Sequence, residues 1–192
     1  MNEPWYEIVQ ASAALTQGDL IFDCPLIGWH GATAANDEPD ETSLKNVIDA
    51  FRDDVVVMTQ ACDLEHQKVS NVVLCPHLSL SDYRQAWYQW LSARNQNPSQ
   101  KAWKRTCEDI AAGYVWNHAF LNRLESAELP TEVRVVDFHD VYTVPRTFLE
   151  TILRKRDQPR LRLLPPYREH LSQSFARFFM RVGLPQPVDQ VW

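Results

Sequence analysis

Residues 59–77 read TQACDLEHQKVSNVVLCPH, which puts Cys62, Cys75, His66 and His77 close together in the chain. Thiols and imidazoles together can hold zinc, or can form a nucleophile with its base. The spacing argues against zinc. With a turn near His66–Lys68, Cys62 falls across from Ser70 or Asn71, and Cys75 lies some four residues further on, about 13 Å at roughly 3.3 Å per residue. Ligand bonds of about 2.3 Å cannot span that. The tighter pairing is Cys62 with His66, if CDLEH forms one helical turn, with Cys24 able to join from an earlier strand. No CxxC or HExxH occurs, so neither a metal site nor a cofactor is expected. As a nucleophile, Cys62 needs a lowered pKa and a base in reach. His66, His77 and His139 are the candidate bases, and Asp63 beside Cys62 opposes the thiolate. A strand end explains the same residues without chemistry. A small thiol fills core space, Asp63 accepts backbone N–H groups in the turn, and Gln60 pairs with a neighbouring loop. Gln60, Cys62 and Asp63 are therefore the first site candidates.

A second polar insertion is DFHDVY, 137–142. Strand alternation puts Asp137 and His139 on one face, where a carboxylate can orient a histidine as general base. An exposed strand edge explains it equally. The third feature is the basic run RKRDQPRLR, 154–162. Its Arg154, Lys155, Arg156, Arg160 and Arg162 are candidates for binding an anion or an acidic partner, or for balancing charge within the molecule.

Charge is unevenly spread. Residues 1–145 carry 10 Lys/Arg against 21 Asp/Glu, and residues 146–182 carry 9 against 3, within a net of −6. An acidic body repels phosphate backbones, so nucleic-acid binding is expected to be weak and salt-sensitive. No apolar stretch nears the roughly 20 residues that cross a bilayer, so no membrane partner is expected. The N-terminus has no basic segment leading an apolar core. A cytoplasmic protein with its four cysteines reduced is the expectation.

Periodicity supplies the elements that position these residues. GDLIFDCPLI (18–27) reads as a strand and 28–41 as a loop. TSLKNVIDAFRDD (42–54) has the apolar spacing of a helix. VVVMTQ (55–60) and NVVLCPH (71–77) read as buried strands in a hairpin. About 81–126 reads as an inserted helical hairpin with an aromatic seam of Tyr83, Trp87, Trp90 and Trp103. TEVRVVDFHDVYTVP (131–145) returns to strand, followed by a helix from Pro145, a short strand RLRLL with one wet face, and a helix with Leu171, Phe175 and Phe178 on one stripe. The chain is thus expected to be one α+β domain over 1–192, with a basic C-terminal helical segment at about 146–182.

The Gly-Asp opening of the first strand and the Val-rich central strand resemble the SH3-like barrels of PemK/MazF-type toxins. The element Thr59, Gln60, Cys62, Asp63, Leu64 resembles a group of uncharacterised bacterial proteins with Thr/Ser-Gln-x-Cys-Asp-Leu at a strand end. The resemblance implies a small SH3-like barrel or a bent antiparallel sheet, decorated by helices. It does not carry RNA cleavage across, because the toxins place basic residues after the Gly-Asp strand and none lies between Asp19 and Glu41 here. Two functions are compatible with these features. One is a non-catalytic bacterial interaction or regulatory module acting on a protein partner within a larger assembly. The other is a toxin-like, ribonuclease-type enzyme with Gln60, Asp63 and His139 at its site.

Overall fold

The computed structural model describes residues 3–29 and 48–180. Among them run β1 (Tyr6–Val9), β2 (Leu20–Trp29), β3 (Ile48–Val57), α1 (Ala61–Glu65), β4 (Asn71–Ser79), α2 (Leu80–Ser92), α3 (Gln100–Ala111), β5 (His118–Leu121), β6 (Arg134–Asp137), β7 (Tyr142–Pro145), α4 (Arg146–Arg156), β8 (Arg160–Leu163) and α5 (Tyr167–Phe179). The fold is mixed α+β. A bent antiparallel sheet has the order β2-β3-β4-β6-β5, with β7 also on β4, and β1 and β8 pair as a separate ribbon. The path does not close on itself, so of the two expected forms the bent sheet is observed and the barrel is not.

The sheet separates two cores. Val56, Met58, Cys75, Val136 and Phe138 face β1, β8 and α5, where Tyr6, Leu161, Leu163 and Leu171 meet them. Val55, Val57, Val72 and Leu74 face the other way, onto Leu149 of α4 with Ile21, Cys24 and Leu26. The Val-rich strands are apolar throughout because both faces are covered.

Several expectations need correction. Residues 48–54 are strand, not helix, and Gly28 and Trp29 of the expected loop belong to β2; residues 30–47 lie outside the described residues. The pairing of Cys24–Trp29 with Ile48–Asp53 overrides the helical period,. It seats Phe51 over Gly28, where a Cβ would come within 2.8 Å of the ring. The helical insertion ends at Ala111 rather than near 126. Gly113, at φ +73°, turns the chain in a conformation that favours glycine,, and β5 follows. The aromatic seam is present without one of its expected members: Trp103 is buried between Tyr83, Trp87 and Tyr88, while Trp90 is exposed, with Arg94 over its ring. The segment 131–145 is two strands, and β1 adds a strand the sequence did not announce. Within 146–180 the expected short strand is present as β8 between the two helices, but it has no wet face: Arg160 is 4% exposed.

That arginine explains how the ribbon attaches. Asp19 is fully buried, and both its oxygens take guanidinium groups: Arg160 Nε at 2.8 Å, and Arg162 Nε and Nη2 at 2.6 and 3.1 Å. The remaining donors reach the carbonyls of Gln10, Ala13 and Ala14. Gly18, at φ +82°, lets the chain pass with Leu163 N–H bonded to its carbonyl. We expect Asp19→Ala to destabilise by about 3–5 kcal/mol, because it leaves two cations in place without their anion. Chemical denaturation checks this, and a loss below about 1 kcal/mol contradicts it.

Candidate functional site

The candidate site forms where a strand breaks. Val57 gives its N–H to Asp19 and its carbonyl to Gly18. By the alternation of an antiparallel ladder, Val56 and Cys75 then bond each other, and Pro76 faces the opposite edge of β4,. On that edge β7 pairs with Asn71–Leu74 and β6 with His77–Ser79. Pro76 has no N–H to offer between them. There the chain leaves the ladder as Phe138-His139-Asp140-Val141, turning Phe138 into the core against Phe175 and Phe178. Asp137 and His139 emerge on the other side.

Asp137 is the centre of this cluster. One oxygen accepts from the backbone N–H of His139 at 2.9 Å and lies 3.0 Å from its Nδ1. The other lies 3.6 Å from Nε2 of His118, the residue opposite in β5. A carboxylate only accepts, so the nitrogens facing it carry the protons. His118 Nδ1 is then free to accept from the Asn117 amide at 3.0 Å, and the exposed His139 ring, whose Nδ1 faces Asp137, has its Nε2 on the far side from that carboxylate. Burial pushes the Asp137 carboxyl up, but hydrogen bonds from His118 and the His139 N–H, with the nearby rings, outweigh it and hold it below its ordinary value. Asp and two histidines in this arrangement can orient a base. His118 was missed because VWNHAFL reads as helix continuation, which hides its pairing with Asp137.

A second polar cluster also escaped sequence reading. His77 is buried, its Nδ1 accepting from Arg134 Nε at 2.6 Å, while Arg134 also bonds Asp54. Burial first, and the Arg134 charge second, push the imidazole down to about 3. It is therefore neutral, with its Nε2 unpartnered. This histidine is no base for Cys62.

The first candidates sit elsewhere. Thr59 ends the strand by accepting from Val73 N–H at 2.7 Å. Gln60 and Cys62 are exposed at the start of α1, the thiol 3.8 Å from Gln60 Oε1 and from Asp63 Oδ1. Asp63 lies 3.8 Å from Lys68 Nζ. Cys75 is buried, with its thiol pushed up to about 12 by burial. Val73 and Pro76 mark the two places on β4, so Gln60 and His139 attach roughly 10 Å apart along that strand. No three His, Cys, Asp or Glu side chains among the described residues form a metal-holding group. In the basic run, Arg160 and Arg162 hold Asp19, and Arg156 bonds the carbonyls of Phe22 and Asp23. Arg154 and Lys155 remain exposed.

A concavity that His118 also lines lies along the outer edge of β5. It is a groove of about 400 Å³, walled by Trp5, Trp116, Tyr167, His170, Ser174 and Arg177 among others. Phe138 N–H bonds the Asn117 carbonyl, so by alternation Ala119 and Leu121 bond β6,. The N–H and C=O groups of His118 and Phe120 point outward, and no strand among the described residues pairs with them.

His77 sets a pH dependence. Unfolded, it binds a proton below about 6.5; folded, not until about 3. Stability is therefore lost as pH falls through that window, by roughly 1.4 kcal/mol per unit. His77→Gln, which keeps an acceptor for Arg134, should flatten urea-derived stability between pH 6 and 4.5. Equal slopes for variant and wild type would contradict this.

No protein-family model matches the chain, and no curated protein matches it.

Proposed function

We propose that the protein is a non-catalytic bacterial interaction module that works within a larger assembly and holds a protein partner along the outer edge of β5. The observation that carries the reading is the unpaired strand edge beside an aromatic-walled groove. Sheet edges left open are templates for a further strand. Exposed Tyr114, Trp116, Phe179 and Met180 lie close by in sequence to its walls, and aromatic residues and methionine are enriched at protein interfaces. Charge points the same way. With Arg156, Arg160 and Arg162 engaged internally, Arg154 and Lys155 are the exposed cations left in the basic run, beside an acidic body that disfavours phosphate backbones.

A second reading rests on His139. Its Nε2, oriented by Asp137, has the form of a general base, which is what a nucleic-acid-acting enzyme would need. Cleavage of single-stranded RNA by purified protein, lost in both His139→Ala and Asp137→Asn, would favour it.

The interaction reading predicts that affinity capture from the native host recovers the same partner with wild type and with Lys155→Glu. Ser174→Trp, which fills the groove, should lose that partner. Loss with Lys155→Glu and retention with Ser174→Trp would move the interface to α4 and overturn the reading.

A further inference from the structure

We infer that the partner segment bound in this groove is an extended acidic peptide, added to β5 as an antiparallel or parallel strand with a carboxylate on Arg177. The inference rests on the interaction reading and goes further, to the chemistry of the partner. Three observations lead to it.

The first is the backbone. His118 and Phe120 present outward donors and acceptors spaced two residues apart, the pattern an added strand reads. A helix or a folded loop has its own backbone groups paired and cannot satisfy them.

The second is charge. The groove lining carries one permanent cation, Arg177, and no Asp or Glu. The Arg177 guanidinium lies 5.2 Å from the Trp116 ring centre, and no carboxylate among the described residues pairs with it. In a molecule with 25 Asp/Glu, most buried or half-buried arginines here have found an anion or a carbonyl. Arg177 is an exposed exception, positioned over an aromatic wall. The C-terminal end of α3 also borders the groove and would repel an anion, but its last carbonyls accept from the N–H groups of Ala112, Gly113 and Tyr114, which blunts that effect,.

The third is the opposite wall. Tyr167, His170, Leu171, Ser174 and Arg177 are one face of α5, so the helix runs alongside β5 and the groove is elongated. Trp5 and Tyr167 already stack on each other, with ring centres 4.0 Å apart. One face of each ring is taken by the other, which reduces the ring surface open to a nucleobase and leaves an apolar rim for alternate side chains of a strand.

The test uses full-length protein and a capped peptide of about ten residues alternating valine with glutamate. Two controls accompany it: the same peptide with lysine for glutamate, and the glutamate peptide N-methylated at alternate residues, which cannot extend a sheet. Binding is followed by the amide signals of His118 and Phe120 in NMR spectra and by fluorescence anisotropy. The glutamate peptide should bind, should shift and protect both amides from exchange, and should weaken at least tenfold against Arg177→Ala, with a melting temperature confirming that the variant is folded. Absence of binding at millimolar peptide, equal binding of the lysine or N-methylated peptide, or indifference to Arg177→Ala would overturn the inference. So would dilution-dependent shifts of the same amides without peptide, which would make a second copy of the chain the occupant, or tighter binding of single-stranded RNA at this edge. Failure here with partner capture still lost in Ser174→Trp would leave the interaction reading standing and remove the acidic strand alone.

Discussion

One buried carboxylate organises the molecule. Asp19 binds two arginines of β8 while sitting in β2's lead-in, so it ties the separate β1–β8 ribbon to the bent sheet. Burying charge costs several kcal/mol per ion, and a buried pair adds little net stability over an apolar substitute. What it adds is position. The guanidinium groups also bond three carbonyls of residues 10–14, fixing a stretch that has no regular structure. Part of the charge asymmetry of the sequence is then internal: Arg156, Arg160 and Arg162 of the basic segment fold back on Asp23 and Asp19 of the acidic body.

The clamp also shapes the groove. Trp5 enters β1 and Tyr167 leaves β8, so the stacked pair that forms one end of the groove is placed by the ribbon. On the sheet side, the break at Pro76 and the inward turn of Phe138 set where β6 ends and how β5 is presented. Behind that edge, neutral His77 and Arg134 with Asp54 form a second polar joint in the core. The described residues contain no helix long and apolar enough to cross a membrane.

The two Val-rich strands were legible because they are buried on both faces, and a continuous β-branched run has no better explanation. The α5 stripe was legible for the converse reason: one face is buried, so the helical period survives, and Leu171, Phe175 and Phe178 do meet the core. Ile48 and Phe51 misled because apolar residues three apart suit a helix until a partner strand claims them. The same failure hid His118. A strand of four residues after a glycine turn carries no period of its own, and its neighbour Asp137 is known only once β5 and β6 pair. The Asp137–His139 pairing was legible because it is local, although it is made not by strand alternation but where β6 ends, in a bend in which Asp137 accepts the His139 N–H. The Arg160–Asp19 contact was not, since charged residues alternating with leucine normally mark a wet strand face.

The central claim is that the clamp makes ribbon and sheet one cooperative unit. Native-state hydrogen exchange tests it directly, by comparing the Leu163 amide, bonded to Gly18, with the Val57 amide, bonded to Asp19. If the clamp unites them, both exchange only on global opening, with the same free energy and the same denaturant dependence. Leu163 exchanging through a distinct opening of clearly lower free energy, while Val57 stays protected, would show that the ribbon detaches by itself and would contradict the account.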